Sequence, residues 1–170
     1  MKRSFFSPKR KSFSTSEITF IGIHFKKSQK VNIMKKDITI TELDFVRLQN
    51  LINAERQSRT VEIRNLEVLG SELRRARRVD SRKITPEFVT MNSALELTDM
   101  DSGRLMKLKL VYPKDSNYRE GKISVLSPLG SALLGYRVGD KVTFEAPGGL
   151  REIRIDKILY QPEANGEFTV

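Results

Sequence analysis

The sequence predicts an α+β protein in which a short antiparallel helical hairpin precedes a small, mostly antiparallel β-sheet packed on one short helix. Apolar residues recur at helical spacing between residues 41 and 76. From Phe88 onward they alternate with polar residues, as in half-buried strands. We predict three regions. Residues 1–36 form a basic, poorly ordered extension, and residues 37–82 form the helical hairpin, which is a short coiled coil. Residues 83–170 form the sheet domain.

Two amphipathic segments make up the predicted hairpin. Thr41 is a candidate N-cap of the first helix, and Asp44, three residues later, would complete a capping box. Gly70, inside the second helix, costs up to about 1 kcal/mol relative to alanine and would allow close helix packing. The short connection between helices of about 15 residues each favours an antiparallel arrangement. The apolar residues on one side of each helix are Phe45, Leu48, Leu51 and Ile52, then Ile63, Leu66, Leu69, Leu73 and Ala76.

Five segments of the second half are predicted to be strands, because apolar and polar residues alternate along them or turn residues bracket them. They are residues 89–97, 104–112, 123–126, 141–146 and 151–160. Asp99, Asp101, Ser102 and Gly103 supply the turn chemistry of a hairpin between the first two strands.

The run from Ser127 to Gly135 is the most informative motif of the chain. Ser127 can cap a helix, and Pro128 suits the first helical position. Gly135 suits the end of that helix, because glycine readily adopts the left-handed conformation. No catalytic group lies in this run, so we interpret it as a presented surface rather than a reaction centre.

The residue inventory excludes several kinds of chemistry. The chain has no cysteine and a single histidine, His24, so we expect no disulfide, zinc site, Ser–His catalysis or Cys–His catalysis. No run of about 18 apolar residues is present, so we expect no membrane-spanning helix. We predict a cytoplasmic, monomeric and non-enzymatic protein without a metal or other cofactor.

The net charge of +10 is concentrated near the N-terminus. Residues 1–33 carry eight lysines and arginines against Glu17, or +7, which leaves +3 for the rest of the chain. The high overall basicity is therefore weak evidence for a nucleic-acid-binding fold. Three interpretations of this segment stay open: a disordered basic tail, a start site assigned too early with Met34 as the true first residue, and a targeting peptide.

The C-terminal half contains several separate motifs: Val89–Ser93, Leu110–Pro113, the Ser127–Gly135 run, Arg137–Asp140, Pro147–Gly149 and Tyr160–Ala164. Together they resemble the GreA/GreB family of bacterial transcription elongation factors. Their shared order is more specific than any one of them. The resemblance is closest to the shorter regulators of nucleoside diphosphate kinase, and it continues over the hairpin from about Thr39 as a pattern.

The resemblance implies a fold and a partner. In the family the C-terminal domain is FKBP-like and docks on RNA polymerase beside the secondary channel, while the hairpin points into the channel. Carried over position by position, the docking residues are Leu126, Ser127, Pro128 and Leu129. The family often has an acidic or amide residue where this chain has Leu126. Charged substitutions of Pro128 or Leu129 are expected to abolish polymerase binding without unfolding the domain.

The hairpin tip differs from that of the cleavage-stimulating relatives. In those relatives the hairpin is longer, and acidic residues at its tip hold a metal ion at the active site of the polymerase. Here the tip residues are Glu55, Arg59 and Glu62, with Arg56 and Arg64 beside them. A Mg²⁺ site needs carboxylates with few competing cations. We therefore predict a regulator that modulates elongation without stimulating transcript cleavage.

A second hypothesis is a nucleic-acid-binding protein that acts through its basic tail and an arginine cluster. Arg74, Arg75, Arg77 and Arg78 lie at the end of the predicted second helix. Cations at this position also compensate the helix dipole and coat a solvated face. Contact with DNA or RNA therefore stays an alternative to docking on RNA polymerase.

Overall fold

The computed structural model describes residues 36–58 and 63–169, which belong to one compact unit. The predicted α+β class, with a helical hairpin followed by a sheet, is confirmed. The extension predicted over residues 1–36 lies outside the described residues, except for Lys36. The helices and strands are β1 (Thr39–Thr41), α1 (Glu42–Ser58), α2 (Ile63–Arg75), β2 (Arg77–Val79), β3 (Ala94–Asp99), β4 (Leu105–Val111), β5 (Lys122–Ser124), α3 (Pro128–Leu133), β6 (Lys141–Ala146) and β7 (Gly149–Tyr160).

Strands β3 to β7 form one five-stranded sheet in the order β5-β4-β3-β7-β6. Every neighbouring pair is antiparallel except β4 and β5, whose parallel register places Leu110 beside Ile123. The predicted turn between β3 and β4 is confirmed, since the Asp99 carboxylate accepts the N–H groups of Asp101 and Ser102 at 3.0 Å. The sheet is therefore mostly antiparallel, as predicted.

The hairpin and the sheet share one hydrophobic core. The inward residues of the hairpin, which are at most 2% exposed, are Leu48, Ile52, Leu66, Leu69 and Leu73. They belong to the same buried cluster as the sheet residues Leu95, Leu97, Leu108, Leu110, Val142, Ile153 and Ile155 and the α3 residue Leu133. Because these side chains remove one another's apolar surface from water, the hairpin packs on the sheet and α3 through a shared core rather than standing free.

The ends of the hairpin differ from the prediction. Ile63 was expected on the apolar side, but it is 70% exposed because it opens α2 beyond the edge of the core. Ala76 lies one residue past the end of α2.

No helix in the described parts of the chain is both long and apolar enough to cross a bilayer.

A short parallel ribbon, which the sequence did not predict, closes the base of the hairpin. β1 pairs with β2, with Thr39 beside Arg77. The Thr39 N–H also donates to the Gly135 carbonyl at 2.9 Å, so the ribbon is tied to the end of α3. Arg77 and Arg78 therefore lie in a strand rather than at the end of the second helix, where only Arg74 and Arg75 are found. Three-residue strands are too short for alternation to reveal them.

The strand predicted from residue 89 begins later, at Ala94. The preceding residues form a tight corner in which Asn92 has a φ of 63° and the Ser93 hydroxyl accepts the Thr90 N–H at 3.1 Å. Val89 and Met91 are both buried, so the corner reproduces the apolar spacing of a strand without being part of one.

Asp44 ties the first helix to this corner. Thr41 caps α1 as predicted, because its hydroxyl accepts the Asp44 N–H at 3.0 Å. The Asp44 carboxylate completes no capping box; it accepts the Met91 N–H at 3.1 Å instead. Burial raises the pKa of Asp44 to about 6, opposed by the Met91 hydrogen bond and assisted by the Glu163 carboxylate.

Replacing Gly70 with alanine should stabilise the fold. The added Cβ would lie 3.5 Å from Arg74 Nη1 and 3.9 Å from Ile52 Cδ1, both ordinary contact distances. The free energy of unfolding should rise by about 0.5–1 kcal/mol in urea titrations, because alanine removes the helix penalty of glycine. Gly135→Ala is the opposite control: its φ is +78° and its Cβ would lie 2.9 Å from Ile38 Cβ, so it should destabilise. A less stable Gly70→Ala protein would contradict this packing.

The Asp44 carboxyl should make stability depend on pH. Its pKa of about 6 lies above the ordinary 3.8, so protonation favours the folded state. The contribution of Asp44 to the free energy of unfolding should therefore rise by about 1–3 kcal/mol as the pH falls through 6 towards 4. Asp44→Asn keeps an acceptor for the Met91 N–H without the charge, so it should remove this pH dependence.

A second substitution separates the hydrogen bond of Asp44 from its charge. Asp44→Ala leaves the buried Met91 N–H without its acceptor, so it should be about 1–3 kcal/mol less stable than Asp44→Asn throughout the pH range. Urea unfolding of the three proteins between about pH 4 and 8 checks both effects. Arg47, Tyr112 and Glu163 face the same carboxyl, so the comparison with Asp44→Asn isolates its titration. Identical pH profiles for the wild type and Asp44→Asn would refute the assignment.

Candidate functional site

The turn between β5 and α3 is held by its own serines. The Ser127 hydroxyl accepts the Gly130 N–H at 3.0 Å and donates to the Ser124 carbonyl at 2.7 Å. The Ser124 hydroxyl in turn accepts the Leu126 N–H at 3.1 Å. Pro128 occupies the start of α3, as the sequence predicted. These bonds satisfy helix donors that would otherwise lack partners, and they hold Pro128 in one orientation. We call residues 127–129 the Pro128 corner.

Gly130 is required because α3 approaches the strand backbone closely. A Cβ at this position would lie 2.1 Å from the Ser124 carbonyl oxygen and 3.0 Å from Val125 Cα. No side chain fits there, so the helix packs directly on the end of β5. The sequence indicated the capping serine and the first-turn proline, but only the packing explains this glycine.

The structure presents three of the four residues predicted to dock. Pro128 is exposed, and Ser127 and Leu129 are half-buried. Leu126 is 4% exposed and belongs to the core. Its side chain is therefore not available to a partner, and we remove it from the residues proposed to dock. Leu129 also packs against the core. A charge at Leu129 would therefore disturb the fold, contrary to the expectation drawn from the sequence.

An open, largely apolar groove of about 630 Å³ lies beside Pro128. Its lining includes Val68 of α2, Ala132 of α3, and Phe144 and Leu150 of the β6–β7 hairpin. Val68 is 41% exposed and Leu150 is 68% exposed, so the groove leaves apolar surface in contact with water. Grooves of this kind are typical of sites that bind another protein.

Charged pairs lie at the two ends of the wall that α2 contributes to this groove. Near the start of α2, Arg64 forms an ion pair with Glu145 of β6 at 2.5 Å. Near its end, the buried Glu72 pairs with Arg75, which also donates to the Tyr136 hydroxyl at 3.1 Å. The first pair is exposed and contributes at most about 1 kcal/mol. Its geometry nevertheless places the start of α2 beside the outer edge of the sheet.

The predicted hairpin tip is only partly described. Glu55 lies near the end of α1, where the Ser58 hydroxyl donates to its carboxylate at 3.2 Å. Arg59 and Glu62 lie outside the described residues. Residues 36–58 and 63–169 contain no group of three or more His, Cys, Asp or Glu side chains that could hold a metal ion. Of the three predicted tip residues, the structure therefore places Glu55 alone.

The predicted arginine cluster divides into an engaged member and exposed ones. Arg75 is half-buried, and its guanidinium group is engaged by the Glu72 carboxylate and the Tyr136 hydroxyl. Arg74, Arg77 and Arg78 are exposed. The structure thus separates residues that are nearly consecutive in the sequence.

Two family models match the chain on either side of residue 80. Residues 36–79 match the Rnk N-terminus, and residues 84–160 match the C-terminal part of transcription elongation factor GreA/GreB. The first match covers the helical hairpin with its β1–β2 ribbon. The second covers the whole five-stranded sheet and the Pro128 corner.

Individual relatives agree with the family models. The Regulator of nucleoside diphosphate kinase of Escherichia coli K12 is 33% identical over 77% of this chain and 95% of its own. Transcription elongation factor GreA of Nautilia profundicola is 30% identical over 81% of this chain and 85% of its own. A solved prokaryotic transcription elongation factor GreA/GreB from Nitrosomonas europaea aligns with a TM-score of 0.60 at 39% identity, covering 74% of this chain and 100% of that one.

These relatives are regulators and elongation factors rather than catalysts of a reaction. The agreement extends over the hairpin and the sheet. The chain therefore belongs to the GreA/GreB transcription elongation factor family, with its similarity to the regulators of nucleoside diphosphate kinase extending over most of its length.

Proposed function

We propose that this protein regulates transcription elongation by docking on RNA polymerase through the Pro128 corner, near the secondary channel. Membership of an elongation-factor family supports the general role. The observation that carries the proposal is the position of an exposed, fixed proline beside the uncovered apolar surface of Val68 and Leu150. Covering that surface with a partner would remove it from water, which is favourable.

The proposed docking surface joins the corner to the hairpin. Because α2 forms one wall of the groove, a partner seated on Pro128 would also touch Val68. The shared core holds the hairpin in a fixed position relative to that partner. We infer that the hairpin obstructs the channel entrance mechanically. The proposal implies a monomer that acts in the cytoplasm, where the polymerase is.

We also propose that the protein does not stimulate transcript cleavage by the polymerase. The sequence places only Glu55 and Glu62 near the tip, among Arg56, Arg59 and Arg64. Glu55 already accepts a hydrogen bond from Ser58. Positive neighbours oppose the capture of a second cation, so the tip is a poor carrier of a catalytic metal.

Substitution Pro128→Glu should weaken binding to RNA polymerase core enzyme by about 10–100-fold, because a charge at a central anchor of a small interface must be desolvated. The fold should persist, since an acidic residue is favourable in the first turn of a helix. Binding can be measured by fluorescence anisotropy with labelled protein. Pro86→Glu makes the same change at an exposed proline between β2 and β3 and should bind as wild type does. Wild-type affinity for Pro128→Glu would refute the docking surface.

Two exposed valines provide a matched test of the groove. Val68 lies in the groove on α2 and is 41% exposed, whereas Val46 on α1 is 52% exposed and lies outside it. Val68→Glu should lower polymerase affinity by about tenfold or more, and Val46→Glu should leave it within about twofold. Equal losses for the two variants would place the interface elsewhere.

Addition of this protein to a backtracked elongation complex should release no more short 3′ RNA fragments than buffer does. The reason is that the two acidic residues near the tip, Glu55 and Glu62, lie among arginines that oppose the capture of a metal ion. Gel analysis of end-labelled transcripts measures the release, with a cleavage-stimulating GreA as the positive control. Efficient release of short fragments would contradict this part of the proposal.

A further inference from the structure

We infer that a second surface, formed by β2 and the turn that follows it, binds the phosphate backbone of duplex DNA. The basic ridge is defined as residues 77–83, in which Arg77, Arg78, Arg82 and Lys83 are all exposed. Asp80 is the acidic residue of this segment. The inference goes beyond the proposed docking on polymerase and does not depend on it.

The basic ridge accounts for the whole charge excess of the chain beyond its N-terminal segment. Its four basic residues and one acidic residue give +3. Residues 34–170 together also carry +3, so the rest of that region has equal numbers of acidic and basic residues. A net charge confined to seven consecutive residues produces a local positive potential that a uniform distribution would not.

The arginines of the ridge also differ from those elsewhere in the described residues, several of which are neutralised by carboxylates. Such pairs are Arg64–Glu145, Arg137–Glu87, Arg151–Asp99 and Arg154–Asp156. Within the described parts of the chain, the guanidinium groups of Arg77, Arg78 and Arg82 have no carboxylate partner. The Asp80 carboxylate is directed to the backbone, where it accepts the Arg82 N–H at 2.8 Å. The charges of the ridge are therefore available to an anion.

Two aromatic rings position guanidinium groups of the ridge. Arg78 lies over the ring of Phe45 with 3.7 Å between Cζ and the ring centroid, and Arg82 lies over Phe168 at 5.7 Å. A stacked guanidinium keeps its N–H edge free for phosphate oxygens while losing side-chain freedom before binding. This arrangement lowers the entropic cost of phosphate binding compared with that of freely moving side chains.

The same stacking favours a duplex over a single strand. Surfaces that bind single-stranded nucleic acid stack its bases on open aromatic rings. Here Phe45 packs against the core and is covered by Arg78. Phe168, the second ring of the ridge, is half-buried and has Arg82 over it. Contacts from cations of this kind are made to the backbone of a duplex regardless of its sequence.

The ridge and the Pro128 corner lie on different elements. β1 lies between β2 and the end of α3, since Thr39 pairs with Arg77 on one side and donates to the Gly135 carbonyl on the other. The two surfaces can therefore be tested by separate substitutions.

The test compares salt dependence of DNA binding in the full chain. A fluorescent 20-base-pair duplex is titrated by anisotropy at KCl concentrations between about 50 and 300 mM. The triple variant Arg77→Gln/Arg78→Gln/Arg82→Gln should lower the slope of log K against log salt by about 2–3, because each lost phosphate contact removes about 0.9. Affinity at about 100 mM KCl should fall by tenfold or more.

The matched control is Arg56→Gln/Arg104→Gln/Arg119→Gln, which removes the same charge from exposed arginines outside the ridge. The slope of log K against log salt for this control should change by less than about 1. The ridge variant and the control variant both keep the basic N-terminal segment, so its contribution is the same in each. The variant Arg77→Lys/Arg78→Lys/Arg82→Lys keeps the charges of the ridge. Its slope of log K against log salt should stay within about 1 of the wild-type slope. Equal losses in the ridge and control variants would overturn the proposal, as would tighter binding of a 20-nucleotide single strand than of the duplex.

Two further measurements keep the result interpretable. Arg77 makes no ring contact, so Arg77→Gln alone should leave the urea midpoint unchanged and still lower the slope by about 0.9. An unchanged slope in that folded variant would count against the ridge. The ridge triple variant should bind polymerase core enzyme as tightly as the wild type in the absence of DNA, which distinguishes failure of this inference from failure of the docking proposal.

Discussion

The packing of the helical hairpin on the sheet is the contact on which the rest of the structure depends. Helices of 17 and 13 residues are marginal on their own in water, so α1 and α2 need the apolar surface that the sheet and α3 provide. Leu48 and Leu66 are consequently buried with Leu95 and Leu133 in one cluster. The groove beside Pro128 exists because α2, held by this core, runs beside β6 without covering it completely.

Close backbone contacts set the position of α3, whose first residues belong to the Pro128 corner. At its start, Gly130 lies against the Ser124 carbonyl, and after its end, Gly135 adopts a φ of +78° beside Ile38. Both positions exclude a side chain for steric reasons. The β1–β2 ribbon and the Asp44–Met91 hydrogen bond tie the hairpin to the same region. These contacts hold α3 at its start and just after its end, and a surface positioned before binding lowers the entropic cost of binding.

Charge is distributed in a way that complements this packing. Exposed ion pairs such as Arg64–Glu145 and Arg137–Glu87 contribute little to stability but neutralise individual charges of the surface. In the described parts of the chain, Arg77, Arg78 and Arg82 are exposed without a carboxylate partner and lie together on β2 and the following turn. An apolar groove and a basic ridge are thus presented separately by one compact unit, and each is suited to a partner of different chemistry.

The sequence by itself determined the α+β class, the order of hairpin and sheet, the Thr41 and Ser127 caps and the family, because these depend on local spacing and on motifs in a shared order. Only the tertiary structure decided that Leu126 is core, that the corner before Ala94 is not a strand, that β2 divides the arginine cluster, and that a groove opens beside Pro128. Those features arise from contacts between residues far apart in the chain, such as Asp44 with Met91, and periodicity along a segment carries no record of which distant surface will face it.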